Sequence, residues 1–241
     1  MARRIAIAAI GLALLSSCAS TPRAVAAETP CNGSHLDITG SKIWVHRQGT
    51  GSPTVVFESG FGNDSSVWVS LEKKVREKGF RTFVYDRAGL GKSTISPSSV
   101  YSIDNDAQIL SEALKRCGID GAIVMVGHSY GGLVISAAAM GKPNVQALVF
   151  VAAFAPEVGE SAADLSGKFP GRTLGSALAG PVLQPDGAKD LYIHQDKSSK
   201  QFAEDVPPAL ARLMAVSQRP ITEGALGEAS PAAAWKNLPS W

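Results

Sequence analysis

Residue types that bind metals are sparse in this sequence: three cysteines and four histidines among 241 residues, none grouped with acidic residues at ligand spacing. No metal or organic cofactor is therefore expected. The sequence has no block of lysine and arginine and a formal charge of only +2, so nothing points to nucleic acid as a partner. Internal repeats and low-complexity tracts are absent. The apolar run from Ile5 to Leu15 is too short for a membrane-spanning helix. Gly91-Lys92-Ser93 suggests a phosphate loop, but that motif needs glycine five positions before Gly91, where Asp86 stands. The glycine pattern of a dinucleotide site is missing too.

What remains is an ordinary globular composition, 45% hydrophobic and 18% charged, at a length suited to one α/β domain. Residues 1–30 read as an export signal and leader: Arg3-Arg4, then an apolar segment, then small residues. Leu15-Ser16-Ser17-Cys18 resembles a bacterial lipobox, which would make Cys18 a lipid anchor; Ala24-Val25-Ala26 offers conventional cleavage instead. Either reading places the mature chain in the periplasm, cell envelope or outside the cell. Removal of residues 1–17 takes the formal charge to zero. In such an oxidising compartment Cys31 and Cys117 are a disulfide candidate, with two unpaired thiols as the alternative.

Short strands are expected at His35–Ile38 and Lys42–Arg47, followed by Thr54–Glu58, Arg81–Tyr85, Ala122–Val126 and Val145–Ala152. Helices are expected at Val67–Lys78, with Trp68, Leu71 and Val75 on one face, and at Asp104–Arg116 and Leu133–Met140. Strands apolar throughout and alternating with helices argue for a mostly parallel sheet covered on both faces. The fold class is thus α/β. Core residues run over 31–155. Residues 156–234, rich in Pro, Gly and Ala, are too many for a structureless loop and read as a helical cap, with helices near Lys200–Glu204 and Pro208–Ser217. Phe154, Leu191, Tyr192, Phe202, Leu213 and Met214 could line a pocket there or form the core of the cap.

The most informative stretch is Gly127-His128-Ser129-Tyr130-Gly131, between the strand ending at Val126 and the alanine-rich helix. Gly-x-Ser-x-Gly in strand–turn–helix context needs small residues two before and two after the serine, because the turn is sharp. The helix N-terminus behind the serine favours developing negative charge. On these residues the chain resembles the α/β-hydrolase superfamily, specifically small serine esterases with a modest helical cap.

That resemblance implies hydrolysis of a small-molecule carboxylic ester through an acyl-enzyme on Ser129. It implies an oxyanion hole made by the backbone N–H groups of Phe61 and Tyr130, with Gly60 and Gly62 flanking the first and Gly127 and Gly131 shaping the elbow. Asp86-Arg87-Ala88-Gly89-Leu90-Gly91-Lys92-Ser93 is similar to a loop that is structural in the family, so Asp86 and Arg87 read as loop-stabilising. The family order places an acid and then a histidine after the cap. Residues 235–241 read as the start of the next core strand, so the chain is expected to lack the acid, the histidine and the last strands and helices, roughly 50 residues. His194 is the remaining candidate base; His35 and His46 belong to the first strands, and the His128 side chain should point away from Ser129. Glu157 or Glu160 could serve as an acid only with a base. Weak or absent turnover is therefore expected. The alternative is a non-catalytic envelope protein of the same fold that binds a small apolar ligand or partner. The sequence leaves oligomeric state undetermined.

Overall fold

The computed structural model describes residues 31–241, except Val100, Arg172, Asp186 and Gln218. The leader and Cys18 lie outside the described residues. A hairpin opens the fold, β1 (Asn32–Ile38) and β2 (Ser41–Gln48), turning through Thr39 and Gly40. The apolar, β-branched run Thr-Val-Val-Phe-Glu forms β3 (Thr54–Glu58), buried along its whole length. A single 3-10 turn (Ser65–Trp68) leads into α1 (Val69–Glu77), and β4 (Arg81–Tyr85) follows. Next come α2 (Ile103–Arg116), β5 (Ile123–His128), α3 (Gly131–Ala138) and β6 (Val145–Val151).

The sheet order is β1-β2-β4-β3-β5-β6. β1 and β2 are antiparallel, as are β2 and β4; β4, β3, β5 and β6 are parallel. The chain leaves β3 for β4 on one side and later returns to β5 on the other, so strand order reverses at β3. In open α/β sheets, ligands gather at the carboxyl ends of the strands flanking such a reversal. The last residues run parallel to β6: Leu148 donates to Pro239 O (3.0 Å) and Trp241 donates back to Leu148 O (3.1 Å).

α2 begins at Ser102, whose hydroxyl accepts from Asn105 N–H (3.1 Å), and carries acids in its first turn and bases in its last. Its apolar face joins α3 and the sheet in the main core, with Ile109, Leu110, Ala113, Ile135 and Leu148 fully or nearly fully buried. α1 covers the opposite face. There the expected stripe is corrected: Leu71 is 39% exposed, and Glu72 takes the inward position beside Trp68 and Val75. On a helix Leu71 and Glu72 flank the Trp68–Val75 line, each about 50° from it, and it is Glu72 that turns towards β4. Thr82 Oγ1 donates to Glu72 Oε1 (2.7 Å) and satisfies the buried carboxylate.

The region after β6 is also corrected. Besides α4 (Ala162–Lys168), α5 (Leu174–Ala177), α6 (Gln195–Phe202), α7 (Pro208–Ser217) and α8 (Glu223–Gly227), it contains a small antiparallel sheet. Its strands are β7 (Val182–Leu183), β8 (Lys189–Leu191) and β9 (Ile221–Thr222), too short for any periodicity to reveal. The cap is tied to the core at the start of α2: Ile103 N–H donates to both carboxylate oxygens of Glu228, each at 2.9 Å. No helix among the described residues is long and apolar enough to cross a membrane.

Cys31 and Cys117 are disulfide-bonded, joining the start of β1 to the C-terminal cap of α2 across 86 residues. Closing a loop of that length removes unfolded-state entropy corresponding to ~4.5 kcal/mol in the chain-entropy account. Reduction is expected to lower the thermal midpoint by several degrees. The double variant Cys31→Ser/Cys117→Ser should show the same lowered midpoint and no response to reductant, measured by circular dichroism melts with and without dithiothreitol.

Candidate active site

Ser129 occupies the turn between β5 and α3 with φ +54°, a left-handed conformation that costs a non-glycine residue of order 1–2 kcal/mol. Its backbone is held from both sides: Ser129 N–H donates to Ala152 O (3.2 Å) and Phe154 N–H donates to Ser129 O (3.1 Å). The elbow is too tight for side chains at its glycines. A Cβ on Gly127 would stand 2.7 Å from Gly131 O, and one on Gly131 would stand 2.6 Å from Glu58 O. Ser129 itself is partly exposed.

The register pairs Glu58 with Gly127, so the loop leaving β3 runs beside the elbow leaving β5. Gly60 is close enough to the elbow that a Cβ there would lie 3.1 Å from Ser129 Cβ. Gly62 has φ +64° and lies under Arg219 O. The Phe61 and Tyr130 rings stack with centroids 3.9 Å apart. Among the described residues, neither the Phe61 N–H nor the Tyr130 N–H donates to a protein group.

The histidines are placed as follows. His35 Nε2 bonds Lys92 O (2.9 Å) and His46 Nε2 bonds Asn32 Oδ1 (3.0 Å), both on the first hairpin. His128 points to the α1 side, edge-on to Trp68 with ring centroids 6.4 Å apart, and burial lowers its pKa. Its Nδ1 is buried without a hydrogen-bond partner and abuts Gly60. His194 is exposed at the N-cap of α6. Among the described residues no histidine is hydrogen-bonded to Ser129. Glu157 pairs with Lys236 (2.8 Å) and Glu160 with Lys168 (2.6 Å), both at the surface.

Sequence reasoning missed a buried charge cluster beneath the glycine-rich loop. The Arg87 guanidinium donates to Glu58 Oε1, to Ser59 O and to Gly60 O (2.7 Å), and its Nε lies 3.6 Å from Asp106 Oδ2. Tyr85 OH donates to the other oxygen of Glu58. Burial raises the Glu58 pKa, opposed by Arg87 and the Tyr85 hydrogen bond. Burial also pushes Asp106 up to about 7, against the attraction of Arg87. Burial works against the charge on Arg87, but Glu58 and Asp106 outweigh it and raise its pKa. The one local hint was a glutamate closing an otherwise apolar strand. Asp86 serves the loop as the sequence suggested, accepting from Ser65 N–H (2.8 Å) and Lys92 N–H (2.9 Å).

Between this cluster and the cap sheet lies a cavity of about 660 Å³, walled by Phe61, Arg87, Tyr101, Asp106, Tyr130 and Arg219 among others. Phe154, Leu191, Tyr192, Phe202, Leu213 and Met214 do not line it.

A family model described as alpha/beta hydrolase fold matches residues 53–211, from the approach to β3 into α7. The chain belongs to the α/β-hydrolase family. It is 31% identical over 111 residues to "Probable esterase PIR7A" of Oryza sativa, covering 46% of this chain and 42% of that one. It is 36% identical over 89 residues to the protein YqjL of Bacillus subtilis, covering 37% and 34%. These matches thus span less than half the length of either relative. A solved extracellular alpha/beta-hydrolase from a Paenibacillus species superposes with a TM-score of 0.60 at 21% identity, over 78% of this chain and 75% of that one, a likeness of fold.

Because Asp106 holds its proton in the folded protein to about pH 7 and releases it near pH 4 when unfolded, the folded state binds more protons between those values. Its contribution to stability is then present below pH 4 and declines as pH rises towards 7, by up to about 1.4 kcal/mol per pH unit. Asp106→Asn should flatten that decline, so its stability relative to the parent rises from pH 4 to 7 and is level above. Urea unfolding of both proteins across this range tests the assignment; parallel pH dependences would refute it.

Proposed function

We propose that this α/β-hydrolase is a serine hydrolase of carboxylic esters, and that Ser129 is its nucleophile. The observation that carries this reading is the pairing of a strained, partly exposed serine with two backbone N–H donors that have no protein acceptor. The name of the rice relative, an esterase, supports the choice of ester over other chemistries of the family. In the proposed reaction Ser129 Oγ attacks the ester carbonyl and gives its proton to a general base. The carbonyl oxygen becomes an oxyanion held by Phe61 N–H and Tyr130 N–H. The tetrahedral intermediate expels the alcohol, which takes up the proton, and water then hydrolyses the acyl-serine. Each oxyanion donor is worth about 10²–10³-fold in rate in such chemistry.

A serine at its ordinary pKa needs a base, and the described residues bring none to Ser129. Turnover by these 241 residues is therefore proposed to be weak. A fluorophosphonate, which phosphonylates an activated serine with loss of fluoride, should label Ser129 slowly and leave Ser129→Ala unlabelled. Hydrolysis of p-nitrophenyl acetate should be slight and lost in Ser129→Ala, while His194→Ala remains at the parent level. Substantial turnover abolished by both substitutions would make His194 the base and overturn this account.

A second reading, a non-catalytic binder of a small apolar molecule, is favoured by the 660 Å³ cavity, whose walls do not include Ser129. The leader-like residues 1–30 support an exported location for either activity.

A further inference from the structure

Arg87 makes contacts that loop stabilisation alone does not require. Its guanidinium reaches back to two consecutive carbonyls, Ser59 O and Gly60 O, in the loop that leaves β3. Gly60 O also accepts from Asn63 N–H, at a longer 3.4 Å. The peptide bond between Gly60 and Phe61 is trans and planar, so its C=O and N–H point in opposite directions. A guanidinium that holds the carbonyl inward therefore turns the Phe61 N–H the opposite way, out of the charge cluster. The other side of the loop is held by Trp68 Nε1, which donates to Ser59 Oγ (3.0 Å), and by Ser59 Oγ, which donates to Asp64 O (3.0 Å). The guanidinium is itself fixed: Glu58 accepts from Nη1, Asp106 lies 3.6 Å from Nε as an ion pair, and the Tyr130 ring lies 5.4 Å from its centre. Arg87 thus touches the peptide that carries one oxyanion donor and the aromatic ring of the residue that carries the other.

We infer that Arg87 is the positioning residue of the oxyanion hole: gripped by Glu58 and Asp106, it clamps the carbonyls of Ser59 and Gly60 and so aims the Phe61 N–H at a substrate oxygen. This rests on the reading of Ser129 as a nucleophile, and it assigns Arg87 no contact with substrate. A planar guanidinium can bridge two carbonyls and two carboxylates at once; an ammonium at the end of a lysine cannot.

The sequence contains two Gly-Phe peptide bonds, Gly60–Phe61 and Gly79–Phe80. Protein labelled with carbonyl-¹³C glycine and ¹⁵N phenylalanine therefore gives two carbonyl–amide NMR signals, the second serving as an internal control. In Arg87→Met and Arg87→Lys the Gly60–Phe61 signal should move and the Gly79–Phe80 signal should stay. Fluorophosphonate labelling of Ser129 should slow by about 10–100-fold in both variants, with its dependence on reagent concentration unchanged. If Arg87→Met fails to fold, Arg87→Lys, which retains the charge opposite Glu58, decides the matter. Labelling of Arg87→Lys within twofold of the parent overturns the inference. So does movement of both signals alike, which would mean a general loosening. If the parent itself is not labelled, the reading of Ser129 falls and the NMR signals judge the clamp alone: an unmoved Gly60–Phe61 signal overturns it, and a selective movement supports it.

Discussion

One buried cation organises the centre of this molecule. Arg87 lies beneath the carboxyl ends of β3 and β5 with Glu58 on one side and Asp106 on the other. A guanidinium taken out of water is tolerable only if its charge is met and its donors are filled, and removing one member of such a cluster commonly costs 3–5 kcal/mol. The cluster therefore fixes how three separate segments meet: the end of β3, the loop after β4 and the first turn of α2. All three segments border the elbow or the cavity beside it.

Around that anchor the site is built mostly from backbone. Gly127 touches Gly131, Gly131 touches the end of β3, and Gly132 lies against the chain after β6, where an added Cβ would stand 2.1 Å from Phe154 O. Such close approach of main chains leaves no room for adjustment, so the positions of Ser129 and of the Tyr130 N–H are set by the sheet's register, whereas the peptide before Phe61 is held by the Arg87 side chain. The strain at Ser129 persists because Ala152 and Phe154 grip its amide and carbonyl from the neighbouring strand end.

Much of this was legible in the sequence, for identifiable reasons. β3 and β4 are short, β-branched and apolar, and their observed ends coincide with the expected ones. The elbow announced itself through glycines at fixed spacing. The features that escaped notice depend on contacts distant in sequence. Leu71 looked like a core residue, but of the two positions flanking the Trp68–Val75 line it is Glu72 that turns in to meet Thr82, and Leu71 is left exposed. Asp106 sits where an exposed first-turn acid would also be found, and only the fold brings Arg87 beside it. Arg87 was recognised as a residue that stabilises its own loop, yet its carbonyl partners lie 27 and 28 positions back. The cap strands, two or three residues long, have no pattern to read.

The bond from Ile103 to Glu228 couples two things that are usually separate. It satisfies an otherwise orphaned amide at the N-terminal end of α2, and it places a negative charge where the helix dipole favours one. Glu228, however, belongs to the far end of the cap. Lifting the cap by even the length of one side chain would strip α2 of that partner, and one turn further along the same helix stands Asp106, the neighbour of Arg87. Cap and buried cluster thus share a mechanical linkage: the energy needed to open the roof is partly the energy needed to fray a helix, and a fraying helix loosens the floor.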